Sequence, residues 1–179
     1  MPNGMAMYST VKAGCGASPE RSGNNGQKPR KDKNMSTRAA IAMRLPDNTI
    51  HAIYCHNDGY PGWVGAILGG FYKTEEQVKA LLALGALSQI NQKLEPDPGV
   101  PHTFLEPQKG VTIAYHRDRG ERLRPGKTYS SFEEYEKDAP ETFCAEYLYL
   151  FEDGTWKFRQ SNGDGEWTVL DVKVGEEQN

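Results

Sequence analysis

Two short runs carry most of the reactive side chains in this sequence: Tyr54-Cys55-His56-Asn57-Asp58-Gly59 and Tyr115-His116-Arg117-Asp118-Arg119-Gly120. Each sets a tyrosine ahead of a His-X-Asp triplet and closes on glycine. On an extended strand, side chains return to the same face every second residue, so the triplet puts an imidazole and a carboxylate side by side. A divalent metal takes N and O ligands of this kind. Two triplets on neighbouring strands would offer His56, Asp58, His116 and Asp118, and a metal held among them could activate water against a phosphoester. No longer ligand spacing such as His-Glu-X-X-His supports the set.

A plainer reading uses the same residues. Asp58 can cap a helix that starts near Pro61 by accepting from free backbone N–H groups. Gly59 then supplies the turn and Pro61 the first helical φ. His56 hydrogen-bonds within the junction, and His116 and Asp118 pair with Arg117 or Arg119 at the surface. Cys55 and His56 are adjacent on a strand and point to opposite faces, which argues against a thiol–imidazole nucleophile. Tyr54, Tyr60, Trp63 and Tyr115 join the four triplet residues as the candidate binding surface.

The elements around these runs follow from pattern. Residues 39–45 and 50–56 read as strands joined by the turn chemistry of Pro46-Asp47-Asn48, a hairpin. Val64, Ile67, Leu68 and Phe71 recur at helical spacing after Pro61. Thr74 and Gln77 form a capping box for a second helix with Val78, Leu81 and Leu82 as its stripe. Leu87, Ile90 and Leu94 extend a short third helical segment. Residues 95–110 are a proline-rich loop. Residues 111–116 read as a strand, 117–131 as a polar loop, and 132–138 as a short acidic helix capped by Ser130 or Ser131. Strands at 142–151, 155–160 and 167–174 form an antiparallel meander, with Trp156 and Trp167 as a cross-strand pair. Cys55 and Cys144 read as buried strand thiols. The sum is an α+β domain: a mostly antiparallel sheet of about five or six strands with a helical pair on one face.

The chain has 179 residues, 37% of them hydrophobic, with a mean hydropathy of -0.71. The deficit is local. Residues 1–34 lack phenylalanine, tryptophan, leucine and isoleucine, and they carry six Lys/Arg against two Asp/Glu. They read as a disordered basic tail preceding a single domain over 35–179, with Met35 as an alternative start. Setting the tail's +4 aside from the total of -3 leaves -7 on the domain. No apolar run approaches the roughly 18 residues of a membrane helix, no signal peptide opens the chain, and three unpaired-looking cysteines fit a reducing cytoplasm.

Ser36-Thr37-Arg38, the run from Ile53 to Pro61, Gly65, Val78-Lys79-Ala80-Leu81, Leu84-Gly85 and Tyr115-His116-Arg117-Asp118 together resemble small phage and mobile-element proteins. In those the motif commonly reads Ile-Tyr-Cys-His-Trp-Asp-Gly-Tyr-Pro, and this chain has Asn57 in place of the tryptophan. The resemblance spans about residues 36–120 and implies an accessory protein of phage type. The expected function is non-enzymatic: binding and modulating a host or defence protein through the acidic domain. The alternative is a metal-dependent phosphoesterase or nucleotide-binding enzyme built on the two triplets. Nucleic acid is a further expected partner through the basic tail.

Overall fold

The run Ala39-Ala40-Ile41-Ala42-Met43 has no polar alternation, and all five side chains are buried. A strand of this kind must be covered on both faces, and that requirement organises the fold. The computed structural model describes residues 36–162 and 165–170; the basic tail expected over 1–34 lies outside them. In chain order the elements are β1 (Ala39–Arg44), β2 (Ile50–Cys55), a π-helical turn (Pro61–Gly65) leading into α1 (Ala66–Phe71), α2 (Glu75–Ala83), β3 (Leu87–Gln89), β4 (Ile113–Ala114), α3 (Tyr115–Arg119), β5 (Lys127–Tyr129), α4 (Phe132–Thr142), β6 (Tyr147–Glu152), β7 (Thr155–Gln160) and β8 (Thr168–Val169).

The class is α+β, as expected, but the sheet has eight strands. Seven run in the order β4-β3-β2-β1-β6-β7-β8, and β5 pairs with β2. The two additional strands arise where the sequence misled. Leu87–Gln89 was expected to be helical; instead it lies parallel to β2, with Leu87 opposite Cys55. Lys127–Tyr129, inside the supposed polar loop, pairs antiparallel with the first half of β2. Pairing is otherwise mostly antiparallel, except that β6 joins β1 in parallel, Ala39 facing Tyr147 and Met43 facing Phe151. The β1–β2 hairpin forms as anticipated. Asn48 takes the left-handed turn conformation at φ 66°, and the Asp47 carboxylate accepts from the Thr49 N–H at 3.0 Å.

The helical pair α1 and α2 lies on one face, as expected, and α4 covers the other. On one side Ile41, Met43, Ile53, Tyr149 and Phe151 pack with Leu68, Val78 and Leu81 from α1 and α2. On the other, Ala40, Ala42 and Ala52 form a shallow floor under Tyr135 and Ala139 of α4, beside Tyr129. Small side chains there give room for the tyrosine rings, and the Tyr135 hydroxyl donates to the Tyr149 carbonyl at 3.1 Å. Along β6 Tyr149 and Phe151 alternate with Leu148 and Leu150, each set in its own core.

Helix ends follow local chemistry. Thr74 and Gln77 complete the reciprocal capping box of α2, and Ser131 caps α4 by accepting from Glu134 N–H. α4 is longer than expected and runs through Pro140 to Thr142. That displaces the start of β6 to Tyr147, so Cys144 sits in a turn at φ 48° rather than in a strand. Trp156 and Trp167 do not pair: Trp156 meets Phe151, and Trp167 meets Phe132 and Tyr135. Phe71, placed on the apolar stripe of α1, is 46% exposed.

Gly126 shows how tightly the segment before β5 crosses the sheet. At φ 91°, any Cβ there would lie 2.1 Å from the Ala52 carbonyl oxygen. Gly126→Ala therefore combines a left-handed backbone with a backbone collision. We expect a loss of about 2 kcal/mol or more, read as a lowered midpoint in denaturant unfolding, whereas Gly154→Ala, with nothing within 4 Å of its Cβ, loses only the smaller cost of a positive φ.

Candidate functional site

The first triplet begins at the end of a strand and does not continue it. β2 stops at Cys55, while the backbone keeps the parallel ladder to β3 for two more bonds: His56 N–H to Leu87 O and Asn57 N–H to Ser88 O, both 3.0 Å. At Asp58 the chain turns left-handed, φ 56°. The period of two is broken there. Tyr54 and His56 still share a face, with the Tyr54 hydroxyl 2.6 Å from His56 Nδ1. Asp58 leaves that face, and its carboxylate accepts from Gln89 Nε2 at 3.2 Å.

Asp58 does not cap the helix that follows. Tyr60 occupies the cap position and no side chain bonds there. Gly59 is needed for a reason other than the turn. Its N–H donates to Thr37 O at 2.8 Å, and a Cβ would stand 2.7 Å from the Arg38 carbonyl carbon. The Tyr149 hydroxyl donates to the Gly59 carbonyl at 2.8 Å. The motif thus wedges between the start of β1 and β6. Tyr60 and Trp63 are among the exposed aromatics, and the Trp63 indole N–H reaches Ile90 O at 3.2 Å.

The second triplet is not on a strand. Tyr115–Arg119 is a helical turn, α3, where residues two apart point away from each other. His116 is exposed, its Nδ1 2.8 Å from Glu121 O. Asp118 turns inward, its side chain 2% exposed, and accepts from Ala114 N–H at 2.7 Å and from Arg117 Nε at 2.7 Å. Among the described residues no three His, Cys, Asp or Glu side chains gather where a metal could be held. The convergence of His56, Asp58, His116 and Asp118 expected for a metallohydrolase is not met, because one triplet straddles a left-handed turn and the other a helix.

What Asp118 meets instead is His102, which sequence reasoning left in the loop without a role. His102 Nε2 lies 3.3 Å from Asp118 Oδ1. The Gln108 backbone N–H donates to His102 Nδ1 at 3.0 Å. A backbone N–H can only donate, so the ring proton sits on Nε2, facing the carboxylate. Arg117 completes the cluster, donating to Leu94 O at 2.8 Å and to Thr112 O. Burial would push the Asp118 carboxyl up; the Arg117 guanidinium, the Ala114 N–H and His102 outweigh it and hold the carboxyl below its usual range. The cluster ties the 95–110 loop to α3, helped by Phe104 N–H to Asp118 O at 3.0 Å and Phe104 stacked on Tyr115.

Chemistry at the first run is set by different neighbours. Burial, then the charge of Arg38, hold His56 below the usual histidine range, and burial raises Tyr54. Cys55 is wholly buried, and burial pushes its thiol up to about 12; it is no nucleophile at neutral pH. Burial also raises Tyr115, whose ring lies under the Arg124 guanidinium. The structure therefore brings Tyr54 and His56 together, sends Asp58 and Asp118 into structural bonds, and leaves His116, Tyr60 and Trp63 exposed.

No family model, no curated protein and no solved structure matches this chain.

Asp118→Asn weakens the bonds from Arg117 and leaves its guanidinium with only the more exposed Glu95 carboxylate, 3.4 Å away, as counter-charge. We expect about 2–4 kcal/mol of destabilisation and faster amide exchange across residues 95–110, measured by hydrogen–deuterium exchange. His56 gives a pH signature of known sign. Its folded value lies below its unfolded value of about 6.5, so its stabilising contribution is complete above that value and is lost as pH falls through the folded one. The slope of unfolding free energy between pH 7 and 5 should shrink in His56→Gln relative to the wild type.

Proposed function

We propose that this protein is a non-enzymatic binding protein, an accessory protein of phage or mobile-element type that engages a basic surface on a host or defence protein. One observation carries the reading: the carboxylates that the hydrolytic alternative requires are committed to internal bonds, Asp58 to Gln89 and Asp118 to Arg117, Ala114 and His102. A general acid–base or metal-assisted mechanism needs those groups free to meet a substrate.

The charge of the domain indicates the kind of partner. Residues 35–179 carry -7, part of it on the outer side of α4 as exposed Glu133, Glu134 and Glu141. Local bonds at the helix start hold Glu133 and Glu134 below the usual carboxylate range, so they stay ionised well into acid. An acidic helix on a rigid sheet steers toward lysine- and arginine-rich surfaces and raises encounter rates at low salt. The resemblance of residues 36–120 to phage accessory proteins supplies the biological setting of the proposal. No helix among the described residues is long and apolar enough to cross a membrane.

The test is affinity capture from lysate of a candidate host, with the wild type beside a Glu133→Lys, Glu134→Lys, Glu141→Lys variant. The reading expects basic proteins retained at low salt, released as ionic strength rises, and lost in the variant. Retention unaffected by salt and by charge reversal would sink it.

A further inference from the structure

The β1–β2 register places an arginine that no ion pair explains. Ala39 faces Cys55 and Ala40 faces Tyr54, so Arg38, one residue before β1, stands opposite His56. Side chains directly across a strand pair share a face. Arg38 is therefore beside His56 and diagonal to Tyr54. On the far side of His56 the parallel ladder to β3 brings Ser88, which accepts from Asn57 Nδ2 at 3.4 Å. The result is a row of polar side chains, Arg38-His56-Ser88, across three strands at one end of the sheet, with Tyr54 beneath it.

Three features of the row point outward. Arg38 has no carboxylate within 4 Å among the described residues, and it is the half-buried one of the cations in that condition, the others (Lys73, Lys109, Arg122 and Lys137) being exposed. Glu146, the residue before β6, accepts with its carboxylate from the Arg38 backbone N–H at 3.3 Å instead of from the guanidinium. The Arg38 charge also bears on Tyr54 and on His56. A positive charge on this side favours the arrangement in which the Tyr54 oxygen turns its lone pairs toward Arg38 and its proton toward His56 Nδ1, 2.6 Å away, which leaves the imidazole proton on Nε2. Nothing among the described residues accepts from Nε2. The chain of bonds thus ends in an unused donor next to an uncompensated half-buried charge.

We propose that this row binds an oxyanion, with the Arg38 guanidinium supplying the charge and the planar fork, and His56 Nε2–H the second donor. The chemistry is that of a phosphate or carboxylate group, borne by a nucleotide, a free ion or an acidic end group. Tyr54 is a positioning residue: through its bond to Nδ1 it sets the His56 tautomer. The site is distinct from the acidic outer side of α4 and does not depend on the function proposed above.

The experiment is a titration of the full chain, labelled for imidazole resonances, with inorganic phosphate, with adenosine monophosphate and with acetate in parallel. A saturable shift at His56 is expected, weakened about tenfold or more in Arg38→Gln and unchanged in Lys73→Gln, which removes an exposed cation elsewhere. Tighter binding of the nucleotide than of phosphate identifies a nucleotide ligand; equal binding identifies the free ion; a preference for acetate identifies a carboxylate. His56→Leu provides an independent variant should Arg38→Gln unfold, and it is expected to weaken binding measured by calorimetry. No saturable shift with any of the three probes, or an equal loss in Lys73→Gln, overturns the proposal.

Discussion

The fold depends on one strand that has no exposed side. β1 is apolar along its length, so it needs a neighbour at each edge and a packed layer over each face. β2 supplies one edge through a local hairpin. The other edge is filled by β6, whose first residue lies more than a hundred positions along the chain and which pairs in parallel. Everything between must therefore return to the same sheet from the correct side. That return is what puts α1 and α2 on one face, α4 on the other, and the starts of β1 and β6 beside the end of β2.

The polar chemistry is a by-product of that convergence, and it separates into two kinds. The Arg117–Asp118–His102 cluster is closed: each group finds its partner inside the protein, and its effect is to tether a long loop to a single helical turn. Removing water from such ions costs free energy that only complete pairing recovers. The Arg38, Tyr54 and His56 group is open: among the described residues no carboxylate meets the charge and nothing accepts from His56 Nε2. Two runs with nearly the same sequence thus have opposite fates, because one is placed on a helical turn that faces inward and the other at a strand end that faces the rim.

The sequence was informative wherever the controlling interactions are local. The hairpin, the capping box of α2, the Ser131 cap and the alternation of β6 all follow from residues within a few positions of one another. Leu87–Gln89 was misread because three residues of a buried parallel strand look the same as one turn of an apolar helix. Lys127–Tyr129 was missed because an edge strand beside half of β2 has no pattern of its own. The helical turn at Tyr115–Arg119 was misread because its strand is only two residues long, and what stops it is the Asp118 bond back to Ala114.

The candidate site shows the same division. The sequence by itself determined that histidine, tyrosine and aspartate gather at a strand end, that Cys55 is buried, and that a glycine must follow; the residue types and the hairpin dictate these. It also contained the pairing of Arg38 with His56, since the hairpin register fixes it, though the triplet pattern drew attention elsewhere. Only the tertiary structure decided that Asp58 turns away to Gln89, that Asp118 closes on His102, and that Glu146 bonds a backbone N–H and leaves the Arg38 guanidinium without a carboxylate among the described residues. Each of these outcomes rests on contacts between segments far apart in the chain, where direction is set by the packing of the whole sheet and not by the spacing of neighbours.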